Sequence, residues 1–217
     1  MSLITVSLNQ AWAPVYYDLA RKGDEGRHVL SKMCSGLIIA LTAVACFGAL
    51  IAQGFVARFC DHRYVSAGGV VPWIIGAYLA HSLFTLFSLA PMQARRSKLI
   101  MGGSFVALVV NTVLNFALIP HWGMYGAAYA TLIAYVIEAV VMYILAQRAY
   151  RLRYDLPRAI AAMAVFAGAL VVTQVRWNFE HAWISTVIAG VICFGLLAAL
   201  GLNRITLLLR PNQSSAS

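Results

Sequence analysis

The chain is 217 residues long, 62% apolar and only 11% charged, with a formal net charge of +9. That apolar share exceeds what a soluble domain needs for its core. Nor does the positive charge suit a nucleic-acid binder, because Lys and Arg are scattered between apolar runs instead of being gathered on one soluble face.

In chain order, residues 1–17 (MSLITVSLNQAWAPVYY) come first; they are moderately apolar and lack the basic start of a secretory signal peptide. Asn9, Gln10 and Pro14 interrupt them. They read as the inner end of a helix running toward the cytoplasm, a helix whose beginning is missing. Six apolar runs follow: Cys34 to Phe55, Val70 to Ala90, Leu99 to Leu118, Met124 to Leu145, Ala159 to Val175, and Trp183 to Leu202. Each is close to the roughly 20 residues that a bilayer-spanning helix needs, the fifth being the shortest. Spanning strands would alternate in polarity, and these runs do not.

All 16 Lys and Arg residues fall in seven segments between or beside these runs, at 18–33, 57–69, 93–98, 120–123, 147–158, 176–182 and 203–217. The odd-numbered segments hold 13 of them and the even-numbered ones 3. Short loops rich in Lys and Arg stay on the cytoplasmic side. The expectation is an all-α polytopic bundle of six full spans plus a partial N-terminal helix, lying in the lipid bilayer with its C-terminus cytoplasmic. Tyr16, Tyr17, Tyr64, Trp73, Trp122, Tyr125, Tyr150, Tyr154, Trp177 and Trp183 fall near the segment ends, where amphipathic rings favour the headgroup level. Arg148, Arg151, Arg153 and Arg158 beside Tyr150 and Tyr154 also suit anionic headgroups.

Cysteines at 34, 46, 60 and 193 have no metal-ligand spacing, and three of them lie in apolar runs where a thiol acts as a small hydrophobe. The five histidines are equally dispersed, so no metal site, disulfide or cofactor is expected. The external segments offer Asp61, His62, Arg63, His121, Arg176, Glu180 and His181, too far apart in sequence for the close acid–base arrangement of a membrane transferase or ligase. No catalytic residue is expected. No Gly-rich phosphate loop is present, which leaves ATP-driven transport by this chain unsupported.

From Leu108 to Thr131 the sequence reads LVVNTVLNFALIPHWGMYGAAYAT. Pro120 is expected to stop a helix at the membrane boundary. Gly123 and Gly126 permit a tight reversal, and Ala127, Ala128 and Ala130 let two helix backbones approach. Asn111 and Asn115, Leu118-Ile119-Pro120, the turn at Gly123 and the opening Gly126-Ala127-Ala128 with Ala130-Thr131 resemble a signature of one transporter superfamily. That is the polysaccharide-exporting branch of the multidrug/oligosaccharidyl-lipid/polysaccharide superfamily, which includes the O-antigen and exopolysaccharide flippases. Ala11-Trp12-Ala13-Pro14 before a charged segment is similar to the end of the second helix of that family's C-terminal lobe. Matched in order, the chain would begin in helix eight of fourteen. The resemblance implies the end of a truncated transmembrane helix at 1–20, C-terminal-lobe helices at 21–147, two additional terminal helices at 148–203 and a cytoplasmic tail at 204–217. It also implies transport of a polyprenyl-linked oligosaccharide across a bacterial cytoplasmic membrane by alternating access, with the missing N-terminal lobe or a partner chain completing the pathway. A multidrug or cation exporter of the same superfamily is the nearest alternative. An integral-membrane glycan ligase or a structural subunit comes from a different class.

Polar residues within the runs are costly in lipid unless they face protein or water. Glu138 is the only acidic residue well inside one, and no Lys or Arg lies in a run to neutralise it. Thr131, Tyr135, Glu138 and Met142 share one helical face. A carboxylate at that depth holds a proton more readily than one in water and can carry it; the alternative is a purely structural hydrogen bond to a neighbouring helix. Asn111 and Asn115 lie one turn apart with Ser104 two turns below, and His81, Thr85 and Ser88 form a comparable stripe. The residues expected on a transport or coupling path are thus Glu138, Tyr135, Thr131, Asn111, Asn115 and His81. Interhelical glue is the competing role for the amides, and a satisfied interior position for His81.

Overall fold

The computed structural model describes residues 2–61, 67–149, 156–176 and 190–199, which are helical almost throughout and contain no strand. The helices are α1 (Ser2–Arg21), α2 (Gly23–Phe59), α3 (Val71–Gln93), α4 (Ser97–Ala149), α5 (Leu156–Arg176) and the short α6 (Gly190–Ala199). Among the described residues, four stretches are long and apolar enough to cross a membrane: Gly26–Val56, Ala67–Gln93, Ser97–Arg148 and Pro157–Gln174.

The longest of these does not run straight. A 53-residue α4 would be about 80 Å long as a straight rod, more than twice the hydrocarbon thickness. It breaks at Gly123, whose φ of 54° and ψ of −127° are not helical, in a region that side-chain-bearing residues avoid. The chain then folds back on itself. Ser104 meets Glu138 and Asn111 meets Thr131, so residues 97–122 form a first arm and residues 124–149 an antiparallel second arm. The two runs expected at Leu99 to Leu118 and Met124 to Leu145 are these arms. Pro120 does not end the helix as expected, for it lies within α4 and the helix continues to the glycine. Its missing N–H costs little here, because Pro120 is exposed near the arm's end. Gly126 then sits so close to the Leu118 carbonyl that an added Cβ would collide with it.

A second reversal of the same kind joins α1 to α2. Gly23 has φ +69°, and Gly26 lies against the Leu19 carbonyl with no space for a Cβ. Lys22 N–H donates to Leu19 O at 3.1 Å. As a result α2 starts 11 residues before the apolar run expected at Cys34 to Phe55, and α1 is continuous through Pro14. The α3–α4 turn uses different means: Arg96 N–H donates to Pro91 O at 2.9 Å and Arg95 N–H to Met92 O at 3.1 Å. That pair of bonds is a Schellman closure, with Arg95 at φ 54° where glycine is usual.

These reversals alternate the helices up and down. The α1–α2 turn, the α3–α4 turn and the ends of α4 and α5 around Arg148 and Arg158 come to one end of the bundle, here the basic end. Gly123 stands at the other, the apex end, where the Tyr125 hydroxyl presses on Gly69 and Gln174 Nε2 donates to Gly69 O at 3.0 Å. Trp73, Trp122, Tyr125 and Tyr129 gather there too, with ring centroids 4.9–6.2 Å from Tyr129. Tyr16 departs from the expected interfacial belt, for it is fully buried.

Two apolar cores lie between the helices. One, toward the basic end, joins Trp12, Tyr16, Leu30, Cys34 and Ile38 of α1 and α2 to Phe84, Phe87 and Leu89 of α3 and Met142 and Ala146 of the second arm. The other joins Leu41, Ala45, Cys46 and Ala49 of α2 to Phe166 and Leu170 of α5 and Cys193 and Leu197 of α6. All four cysteines are free, Cys60 alone being exposed. Of the run expected at Trp183 to Leu202, residues 190–199 are helical and the rest lie outside the described residues, as do Tyr64, Tyr150, Tyr154, Trp177, Trp183, His62, Arg63, Glu180 and His181.

Candidate functional site

The two polar stripes expected on the arms of α4 meet on one face, and of the third stripe, on α3, His81 alone joins them. Ser104, Asn111 and Asn115 recur at spacings of 7 and 4 along the first arm, which keeps them in line. Thr131, Tyr135 and Glu138 do the same along the second arm. Because Gly123 folds the arms antiparallel, the two lines run side by side as a seam, and α3 closes against them with His81.

Glu138 anchors this seam. Its side chain is only 4% exposed, and its carboxylate is held from two sides. Ser104 Oγ, on the first arm, donates to Oε1 at 3.0 Å. His81 Nδ1, on α3, lies 3.1 Å from Oε2. The second partner of the carboxylate is thus an imidazole and not a Lys or Arg, and it can donate from Nδ1 in either its neutral Nδ1–H form or its cationic form. Burying the carboxylate with two hydrogen bonds offsets much of the cost of removing it from water.

His81 is itself positioned by aromatic neighbours. Tyr135 tilts over it with centroids 4.8 Å apart, and Phe84 stacks on it at 5.5 Å. Tyr78 lies one turn along α3, with its ring 6.5 Å from that of Tyr135. Thr85 and Ser88 do not join the node. Their hydroxyls donate to the α3 carbonyls of His81 and Thr85, at 3.0 and 2.7 Å.

Toward the apex the seam continues as a chain of hydrogen bonds running in one direction. Asn115 Nδ2 donates to Asn111 Oδ1 at 2.9 Å, Asn111 Nδ2 reaches Thr131 Oγ1 at 3.5 Å, and Thr131 Oγ1 donates to Ala127 O at 2.8 Å. Each amide or hydroxyl passes its donor onward, so an acceptor is left over at the start, and Asn115 Oδ1 is buried without a hydrogen-bond partner. Asn115 and Thr131 line an open groove of about 620 Å³ together with Thr112, Phe116, Ile119, Pro120 and Ala127.

The exposure of this face matters more than its polarity. Around the seam the arms present Phe105, Leu108, Val113, Phe116, Ile133, Val136 and Val140 outward, as a lipid-facing helix would. Yet the His81 side chain is 37% exposed, and Ser104 and Thr112 are exposed as well. No protein-family model, curated protein or solved structure matches the chain. The chemistry of the seam carries the functional reading by itself. Among the described residues no group of three or more His, Cys, Asp or Glu side chains converges in a way that would hold a metal ion.

Sequence reasoning thus named each member of the seam but not its junction. Ser104 belongs to the stripe of the asparagines, and the signal that ties it to Glu138 is the hairpin register: Ser104 and Glu138 lie 17 residues either side of His121, as Asn111 and Thr131 lie 10 either side. Tyr78 and the Gly23/Gly26 reversal were missed. Gly23-Asp24-Glu25-Gly26 repeats the Gly-x-x-Gly spacing of Gly123 and Gly126, and that repetition was the available clue.

Proposed function

We propose that this chain is part of a membrane transporter that moves a polyprenyl-linked oligosaccharide across a bacterial cytoplasmic membrane by alternating access, with the Glu138 node as its coupling site. One observation carries the reading: a carboxylate buried within a membrane-spanning helix is tied to a histidine and opens onto a polar seam instead of being sealed in an apolar core. Intramembrane ionisable groups with that setting mark ion and substrate paths. A transporter site lies between two membrane-embedded bodies that rock about it. The seam supplies one wall, and a second membrane-embedded lobe supplies the other. The hairpin signature around Pro120, Gly123 and Gly126 favours a glycan-lipid substrate, and the excess of Lys and Arg at the basic end favours a cytoplasmic location for that end.

Export of a cationic drug is the second reading, favoured by the acidic side chain of Glu138 at the head of the seam. Replacing Glu138 by Gln in the complete transporter separates the possibilities. The amide keeps the side chain's size and can still accept from Ser104, so membrane abundance is expected to stay near normal while transport of lipid-linked glycan falls to background. Loss of cation efflux with glycan export intact selects the drug reading, and normal transport of both removes the coupling role from Glu138.

A further inference from the structure

Access to Glu138 is unequal along the bundle. Toward the basic end it is blocked. Met142, one turn further along the second arm, is fully buried in a cluster with Phe84, Phe87 and Ala146. Gly103 backs onto it so closely that an added Cβ would stand 3.0 Å from the Met142 methyl. Tyr143 covers Phe87 edge-on at 5.4 Å, and Thr85 and Ser88, the nearest hydroxyls of α3 on this side, are tied to their own helix backbone.

Toward the apex the surroundings are the reverse. From Glu138 the Tyr135 ring leads to Thr131, two turns or about 10 Å along the arm, then to Asn111 and Asn115 and the groove of about 620 Å³. Water takes about 30 Å³ per molecule in the liquid, so the groove has room for a water column. Polar partners for such water exist at Thr112, Thr131 and Asn115.

We infer that the structure is a one-sided access state, in which water and small cations reach Glu138 from the apex end along Asn115, Asn111, Thr131 and Tyr135 while Met142, Phe84 and Phe87 close the route from the basic end. This deepens the transport reading and rests on it for the placement of the arms in a bilayer. It does not depend on which end is cytoplasmic, because both ends carry their own markers.

The test is single-cysteine labelling in the complete protein, with Cys34, Cys46, Cys60 and Cys193 replaced by Ala. His121→Cys marks the apex end and Arg96→Cys the basic end. Asn115→Cys, Thr131→Cys and Ser104→Cys probe the seam, and Ala146→Cys probes beneath the plug. A small charged methanethiosulfonate is applied to intact cells and to inverted vesicles. The seam cysteines are expected to react at least tenfold faster from the side that labels His121→Cys, with Ala146→Cys unreactive from both sides until the protein is unfolded in detergent. Thr112→Cys in the same groove replaces any seam variant that fails to reach the membrane. Reaction from the Arg96→Cys side overturns the inference, as does reaction only with a lipid-soluble maleimide, which would place the seam against lipid. If the seam labels from the apex while Glu138→Gln leaves transport intact, the access path stands and the coupling role falls; if transport fails in that variant without one-sided labelling, the reverse holds.

Discussion

At Gly23 and Gly26 the chain turns α1 back along α2 by the means that Gly123 and Gly126 use to turn the two arms of α4. In each case the first glycine takes a positive φ and the second lies against a carbonyl of the preceding helix, Leu19 or Leu118. What the two hairpins enclose differs. Between α1 and α2 lie Trp12, Tyr16, Leu30, Cys34 and Ile38, an apolar filling. Thr42 of α2 spends its hydroxyl on the Ile38 carbonyl of the same helix, at 2.8 Å. Between the arms of α4 the polar side chains reach across to one another. The reversal is therefore an architectural device that works with either filling, and the cross-arm polar seam is an addition that folding of a hairpin does not require.

The sharpest way to break this comparison is to deny each hairpin its close approach. Gly126→Val puts side-chain atoms where the Leu118 carbonyl stands and is expected to cost more than about 3 kcal/mol, with most folded protein lost. Gly26→Val meets the Leu19 carbonyl in the same way but is expected to release α1 while leaving the α3–α4 assembly folded. Thermal unfolding of the solubilised protein, with protease protection of α4, checks both; equal loss of α4 protection would mean that the hairpins are one cooperative unit.

Smaller effects follow from the first glycines, where a Cβ would meet no neighbour within 4 Å at either position. Only backbone strain remains. Gly123→Ala is expected to lose about 1–3 kcal/mol, because φ 54° with ψ −127° is a combination that side-chain-bearing residues avoid, and Gly23→Ala, at φ +69°, about 1 kcal/mol. Midpoint shifts in the same order support the comparison, and the opposite order breaks it.

The smallest stability changes sharpen the contrast in function. Thr42→Val keeps volume and removes a hydroxyl bonded only to its own helix, while Asn111→Leu removes a cross-arm partner worth about 0.6 kcal/mol in a membrane bundle. Both variants are expected to unfold within a few degrees of the parent. Transport is expected to survive in Thr42→Val and to fall in Asn111→Leu. A silent Asn111→Leu variant would reduce the asparagines to interhelical glue.

The α4 hairpin was legible in the sequence because it combines local signals. An uncharged link, a proline near the turn, two glycines and flanking small residues all act within about ten residues. The Gly23 reversal was hidden because Asp24, Glu25 and Arg27 surround it with charge, and charge in a membrane protein reads as a loop. Glu138, His81 and the asparagines were recognisable singly, since a polar residue among apolar ones stands out at any position. Their meeting was not legible. Glu138 and His81 are 57 residues apart, and the register between α3 and the second arm is set by how Met142, Phe84 and Phe87 interlock. Side-chain packing of that kind leaves no periodic trace.

The order in which the node is assembled follows from its place in the chain. His81 is synthesised first, Ser104 next and Glu138 last, and domains and motifs form from the N-terminal side as synthesis proceeds. When the second arm leaves the ribosome, the imidazole and the hydroxyl that receive its carboxylate are already made, and Gly123 returns the arm directly onto them. Biogenesis thereby shortens the exposure of an acid to hydrocarbon, so a substitution at His81 or Ser104 is felt during membrane insertion as well as in the finished protein.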